Sequence, residues 1–372
     1  MRDSGLSTLS FQSLRHHPVK KATAIPRPTL ETGRRDPAAS RSPDMTTVQE
    51  DKKALFTKAA ARAGLAPSVH NTQPWYFVVR PSALELYADS GRQLTVLDPT
   101  GRQMAVSCGC ALFNARVALA ADRVLQVDRL PDTTKPDLLA VLTMSDEPAP
   151  WTPLVRLDPT IDRRHTNRRD FFDKDVPPEA IYELTSAAEQ EEASLVPIVE
   201  PEQKLLAAQL SQEAEAIQNA DPLYRAELLA WTTTDLHRTD GVPVYATPHR
   251  DAQAEPEALA RNFDVAGKGW LPGLRQSTLN HCLMVLGTAE SSRPGWLRAG
   301  EALQRVLLEA TRLDFVVSLA SQVAEVPSTR DRLRNELGLE FDPVLLMRVG
   351  RAAPTPASKR RDLTMIVSET ND

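Results

Sequence analysis

The sequence is poor in cysteine, has no long apolar run and carries no excess of positive charge. Three cysteines in 372 residues, Cys108, Cys110 and Cys282, cannot form a closed disulfide framework. An odd, small number of thiols suits a reducing cytoplasmic compartment. Cys108-Gly109-Cys110 lacks the spacing of a zinc site, and only one further thiol exists. No apolar stretch approaches the roughly 18 residues of a membrane span. Lys and Arg number 44 against 49 Asp and Glu, a net charge of −5, so the basic stripe of a nucleic-acid binder is missing. Other signatures are absent too. There is no Walker A run, no serine elbow and no histidine-rich metal motif, and Gly267 to Gly273 has an extra residue and a proline for a dinucleotide fingerprint.

What remains is a chain of globular composition, 41% apolar and 25% charged, long enough for two domains. Residues 1–44 differ from the rest: they are rich in Arg, Ser and Pro, poor in acids, and have no apolar signal core. A disordered leader, an over-extended start ahead of Met45 and a transit peptide all fit that composition. Thr47 with Glu50 forms a capping box, which predicts a helix from there to Gly64.

The most informative stretch is Ala66-Pro67-Ser68-Val69-His70-Asn71-Thr72-Gln73-Pro74-Trp75, a loop bracketed by prolines and leading into the strand Tyr76 to Arg80 and its return, Leu84 to Tyr87. Ser68, Asn71 and Gln73 offer hydroxyl and amide groups that match the acceptor–donor–acceptor edge of a uracil-like ring, as in a flavin. The same groups also suit a loop that merely satisfies its own backbone. His70 alone reads as structural. A second constellation, Asp162 to Phe171, contains Arg163, Arg164, Thr166 and Arg168. If it opens a helix after Pro159-Thr160, Arg164 and Arg168 share a face and could cradle a phosphate; a solvated charge run is the other reading. Lys359-Arg360-Arg361 forms a third basic patch, which a ragged tail explains equally well.

Gly109-Cys110-Ala111-Leu112 and Gly300-Glu301-Ala302-Leu303 each read as the opening of a long helix rich in small residues, suggesting two copies of one central-helix unit. Chance likeness of Ala- and Leu-rich helices is the competing explanation. Strand material lies at Val124 to Val127, Leu138 to Leu142, Cys282 to Leu286 and Pro343 to Val349. The expected class is α+β, with two sheets flanking paired helices. Residues 235–279 have weak periodicity and the length of a lid.

These pieces resemble the nitroreductase superfamily. Ala66 to Trp75 looks like its flavin-edge motif and Arg163 to Phe171 like its phosphate-binding helix start. The loop preceding the basic motif is similar to the Acg branch, in which two nitroreductase-like halves are fused. The resemblance covers Met45 to Asp372, including Gly300 to Leu308 and Leu345 to Gly350. It implies a nitroreductase-like α+β fold, an intramolecular pseudo-dimer with halves at 45–155 and 156–372. One FMN would lie between them, with NAD(P)H as donor and a small electron-poor molecule, such as a nitro compound or quinone, as acceptor. Ser68, Asn71 and Gln73 would meet the ring, Asn71 also helping to stabilise its anionic reduced form. Arg163, Arg164, Thr166 and Arg168 would hold the phosphate, helped by Lys359, Arg360 or Arg361. A backbone N–H among Gln322 to Glu325 would face flavin N5, although this segment lacks the glycine seen in many active members. No other acid–base residue is required, and one chain suffices to complete the site, with further association open. Two functions are compatible with this: an oxidoreductase, or an Acg-type flavin-sequestering protein whose lid excludes nicotinamide. A scaffold that binds no flavin is the least expected.

Overall fold

The computed structural model describes residues 45–249, 261–264, 268–273 and 281–370. The leader 1–44 and parts of the expected lid, 250–260, 265–267 and 274–280, lie outside the described residues. Helix α1 (Met45–Ala63) leads into the strands β1 (Trp75–Val79) and β2 (Ala83–Ala88), then helix α2 (Arg102–Leu119), β3 (Arg123–Arg129) and β4 (Leu138–Pro148). After a short 3₁₀ turn, Pro153–Thr160, come α3 (Pro178–Glu189), β5 (Ser194–Ile198), α4 (Pro201–Ala220), α5 (Pro222–Ala230) and a minimal pair, β6 (Thr232–Thr233) and β7 (Val242–Pro243). Then follow β8 (Cys282–Thr288), α6 (Arg293–Arg312), β9 (Val316–Ala320), α7 (Gln322–Glu325), α8 (Pro327–Glu336), β10 (Asp342–Gly350), α9 (Leu363–Ile366) and β11 (Val367–Glu369).

Among the described residues the strands form two main sheets, ordered β11-β1-β2-β4-β3 and β5-β8-β10-β9. One apolar core runs from Trp75, Phe77 and Leu86 of the first sheet, through α2 and α6, to Met284, Leu345 and Met347 of the second. The expected α+β class with paired helices is therefore present. Every residue of α2 except Arg116 is buried, which explains why its sequence is apolar and small on all sides rather than striped.

The two central helices cross where Gly109 faces Gly300. A methyl group on Gly109 would overlap the Leu297 carbonyl oxygen, and one on Gly300 the Val106 carbonyl oxygen. The sequence pattern places these glycines at helix starts; they lie mid-helix instead. The starts are set elsewhere. The Asp98 carboxylate accepts from Met104 N–H at 2.9 Å, and Ser292 Oγ accepts from Gly295 N–H at 3.3 Å. Polar side chains close the remaining contacts of the pair: Gln304 donates to Asn114 at 2.6 Å, and Glu301 binds both Arg116 and Arg129 at 2.7 Å.

A second correction concerns residues 163–171. No helix opens there. The Thr166 backbone instead bridges Val317 of β9 in parallel, Asn167 N–H donates to Val317 O at 3.0 Å, and Phe171 bridges Ala352. The segment is irregular and touches the sheet edge at these points, because β9 offers unpaired backbone groups that a helix would leave unmet. The chain end returns to the first sheet, where β11 pairs in parallel with β1 through Phe77 and Val367. The apolar pattern does not reveal α3, α4, α5, β5 and α8, although Pro178, Pro201, Pro222 and Pro327 each stand at a first helical position.

Gly109→Ala is expected to cost roughly 1–3 kcal/mol through overpacking. A lowered urea midpoint with an unchanged slope is the measurement that checks it; an unchanged midpoint would mean that the helices separate freely.

Candidate functional site

The loop between α1 and β1 is held in a demanding conformation. His70, Asn71 and Gln73 adopt left-handed backbone angles, with φ of 45°, 55° and 50°. Such strain in non-glycine residues persists only where surroundings impose it. Here the surroundings are three distant segments. Gln73 is fully buried, and its Nε2 donates to Thr239 O at 2.9 Å while its Oε1 accepts from Arg361 N–H at 2.8 Å. Asn71 Nδ2 donates to Gly241 O at 3.0 Å and to Lys359 O at 3.2 Å. Ser68 Oγ accepts from Gln73 N–H at 2.9 Å, and Val69 N–H donates to Ser107 Oγ of α2 at 3.1 Å.

Beside this loop lies an accumulation of positive charge without an anion. Arg164 is only 4% exposed, and its Nε and Nη1 have no hydrogen-bond partner. Burial pushes its pKa down to about 10. Arg168 is lowered to about 10 by burial and then by Arg261, and its guanidinium lies over the Phe263 ring at 5.0 Å. Arg360 is lowered to about 9, by burial first and by Arg164 second; it donates to the carbonyls of Ser358 and Lys359 at 3.1 Å. All three stay charged at neutral pH, and none meets a carboxylate among the described residues. With Ser68, Asn71 and Thr166 they line a recess of about 50 Å³. Buried charge of one sign calls for a ligand of the other.

The recess continues into a cavity of about 100 Å³ that shares Pro67, Ser68, Thr166 and Arg168 and is also walled by His70, Gln103 and Phe263. His70 is 5% exposed, and neither ring nitrogen has a partner. Its ring meets Phe263 edge-on at 5.3 Å. Burial, then Arg261 and Arg168, hold its pKa well below the ordinary value, so the imidazole is neutral.

Six residues singled out from sequence therefore come together: Ser68, Asn71, Arg164, Thr166, Arg168 and Arg360. The rest are placed otherwise. Arg163 is exposed and paired with Asp314 at 2.7 Å, facing a separate cavity of about 230 Å³. Gln73 spends its amide on backbone behind the recess. Lys359 is exposed and contributes its carbonyl, whereas the Arg361 guanidinium braces the loop through Gln73 O at 3.1 Å. Of the segment expected to offer a backbone N–H, Ala324 and Glu325 donate theirs to Ser321 O at 2.9 and 3.0 Å, and the Gln322 side chain donates to Gln218 at 3.2 Å. Glu325 is bound by Arg261 at 2.5 Å; burial opposes its charge, but the guanidinium outweighs this and leaves its pKa below the usual value. Sequence reasoning misses Gln103, Arg261 and Phe263 and reads His70 as structural. Only His70 sits in a recognisable motif; the others reach the cavity through the tertiary fold.

The neutral His70 gives a pH signature. Unfolded, it takes up a proton near pH ~6.5, and folded only well below that. Its contribution to stability is whole above pH ~6.5 and is lost as pH falls from there, by at most about 1.4 kcal/mol per pH unit. His70→Asn, which tolerates the left-handed backbone, is expected to flatten the acid side of a urea-midpoint profile. An identical profile would place a polar partner on the ring.

No protein-family model matches the chain. A search of curated proteins finds "Putative NAD(P)H nitroreductase Rv3131" of Mycobacterium tuberculosis, 32% identical over 311 residues that span 81% of this chain and 88% of that protein. It also finds "Putative NAD(P)H nitroreductase acg" of the same organism, 29% identical over 323 residues, 83% of this chain and 94% of that one. Among solved structures, a nitroreductase with bound FMN from Desulfitobacterium hafniense DCB-2 aligns with 55% of this chain and 93% of its own, at 13% identity and a TM-score of 0.36, a likeness too slight to build on. Sequence identity sustained along nearly the whole of the mycobacterial relatives settles the lineage: this chain belongs to the nitroreductase family.

Proposed function

We propose that the protein is an FMN-dependent NAD(P)H oxidoreductase acting on nitro compounds, quinones or similar electron-poor molecules. One observation carries the reading: the buried Arg164 and the half-buried Arg168 and Arg360 converge without a counter-anion among the described residues, at the end of a cavity beside a strained, polar loop. A phosphate monoester supplies two negative charges and several acceptor oxygens, which is what this recess lacks. The donor set thus fits the phosphate of FMN. Thr166 and Ser68 add hydroxyls at the same recess, and a His70 nitrogen is a free donor for the ring.

FMN held here would supply two-electron transfer between a nicotinamide and a second substrate. The residues of this chain position and exclude. Arg164, Arg168 and Arg360 fix the phosphate end, and neutral His70 offers a hydrogen bond without adding charge. The Ser107–Val69 bond ties the loop to α2. Within this reading the chain supplies both halves of the site by itself: Ser68 and Asn71 precede the boundary near residue 155, while Arg164, Thr166 and Arg168 follow it. Paired central helices between two sheets support the same view of an internal pseudo-dimer.

A second reading has its own support. Phe263 and Arg261, from the segment expected as a lid, stand in the cavity wall. The Arg261 guanidinium is anchored to Glu325 at 2.5 Å and to Tyr224 at 2.5 Å. The remaining volume of about 100 Å³ is well under the ~300 Å³ of ordinary ligand clefts. An Acg-type sequestering protein, with a covered ring and little reductase activity, is compatible with that closure.

Arg164→Ala is expected to weaken FMN binding by roughly 1.5–3 kcal/mol, the worth of a charged hydrogen bond, whereas Arg163→Ala leaves it unchanged. Quenching of FMN fluorescence on titration measures both, and equal effects in the two variants would overturn the phosphate assignment. Anaerobic NADPH or NADH is expected to bleach the flavin band of the loaded protein within the mixing time of a manual assay. A band that survives both and yields only to dithionite supports sequestration.

A further inference from the structure

A larger cavity than the one beside the arginines lies elsewhere in the fold. It measures about 480 Å³ and lies between the loop before α2, the facing ends of α4 and α5, the start of α6 and the turn into α8. That volume lies within the ~300–1,000 Å³ of small-molecule sites. Val96, Leu97, Ile217, Trp296, Val326 and Pro327 supply flat apolar walls.

The polar groups around it are unequally satisfied. Every carboxylate is already engaged: Asp98 accepts from Met104 N–H at 2.9 Å, Asp221 from Leu223 N–H at 2.8 Å, and Glu325 from Arg261 and Gln218. The donors are not. Gln103 Nε2 and Arg102 Nε are buried without an acceptor, on side chains of residues only 7% and 5% exposed. Arg330 Nε also lacks a hydrogen bond, with Asp342 no nearer than 3.7 Å. Burying donors without acceptors is unfavourable by about 1–3 kcal/mol each, and an occupant with acceptor oxygens would relieve it. Three carboxylates against the Arg102 and Arg330 guanidiniums leave the walls without net positive charge, so a negatively charged occupant gains little there.

We propose that this cavity is a second small-molecule site, built for an uncharged, flat, largely apolar compound bearing carbonyl oxygens, with Gln103 as its anchoring donor. Gln103 also belongs to the wall of the cavity beside His70, so the anchored carbonyl lies at the border between the two. Binding here does not depend on the flavin reading; service as an electron acceptor would.

The test uses duroquinone, which has two carbonyls and no free ring position for attack by a thiol. Equilibrium dialysis against the full chain should give saturable binding of one molecule, undisturbed by excess FMN. Gln103→Leu should weaken it about tenfold, one hydrogen bond's worth. Ile217→Trp, at an exposed wall position, should abolish it by filling the mouth while retaining the melting temperature and FMN affinity of the parent. Quenching of tryptophan fluorescence by duroquinone should diminish in Trp296→Phe, which locates the ligand without disturbing the cavity's donors. Absence of saturable binding, displacement by FMN, or unchanged affinity in either Gln103→Leu or Ile217→Trp overturns the proposal. Failure of FMN to bind while duroquinone behaves as expected overturns the flavin reading and leaves this one standing.

Discussion

The backbone contact of Gly109 with Gly300 fixes how far apart the two sheets stand, and much else is measured from it. With no side chain between them, α2 and α6 approach until carbonyl oxygens and α-carbons touch. Dispersion attraction at that distance is small for each atom pair and large in sum. Because α2 carries Ser107, which receives the Val69 N–H, and α6 leads directly into β9, whose Val317 holds Thr166, the spacing of the helices also sets the spacing of the loop and the basic segment. A wider crossing would draw Ser68 away from Arg168.

The site itself is unfavourable to the fold and has to be supported. Burial of an unpaired charge costs several kcal/mol even after relaxation, and Arg164, Arg168 and Arg360 lie within one small recess. Three left-handed residues add backbone strain nearby. The surrounding bonds offset these costs: Gln73 to residues 239 and 361, Asn71 to residues 241 and 359, and the Arg361 guanidinium to the loop's own carbonyls. The Asn71 and Gln73 amides thus fasten the loop to backbone, whereas His70 and Arg164 keep nitrogens without a partner.

What was legible in the sequence was mostly local. Alternation marked β2, short apolar runs marked β1, β3, β4, β8 and β10, and small residues marked the helical pair. The basic segment gathers its charges in a conformation that its spacing does not predict. Helical spacing puts Arg164 and Arg168 on one face; the non-helical segment pinned at Thr166 still brings Arg164, His165, Thr166 and Arg168 to the recess, while Arg163 turns to Asp314. Only the β9 edge, some 150 residues away in sequence, decided between the two. Gln103, Arg261 and Phe263 carried no local signal, since each reaches the cavity through packing with distant elements. The long stretch from α3 to α5 was missed because its helices announce themselves by prolines at their starts rather than by apolar stripes.

The return of β11 to the edge of β1 gives the molecule a temporal order. Gln73 and its partner Arg361 are 288 residues apart. A ribosome adding about 5–20 residues per second needs roughly 15–60 s to cover that distance. Throughout that interval the nascent loop lacks the strap that holds it, and the guanidinium of Arg360 has not yet been made. The arginine-lined recess is therefore assembled in a single late event, after both sheets have most of their strands. A chain released early would have a nearly full core and no site.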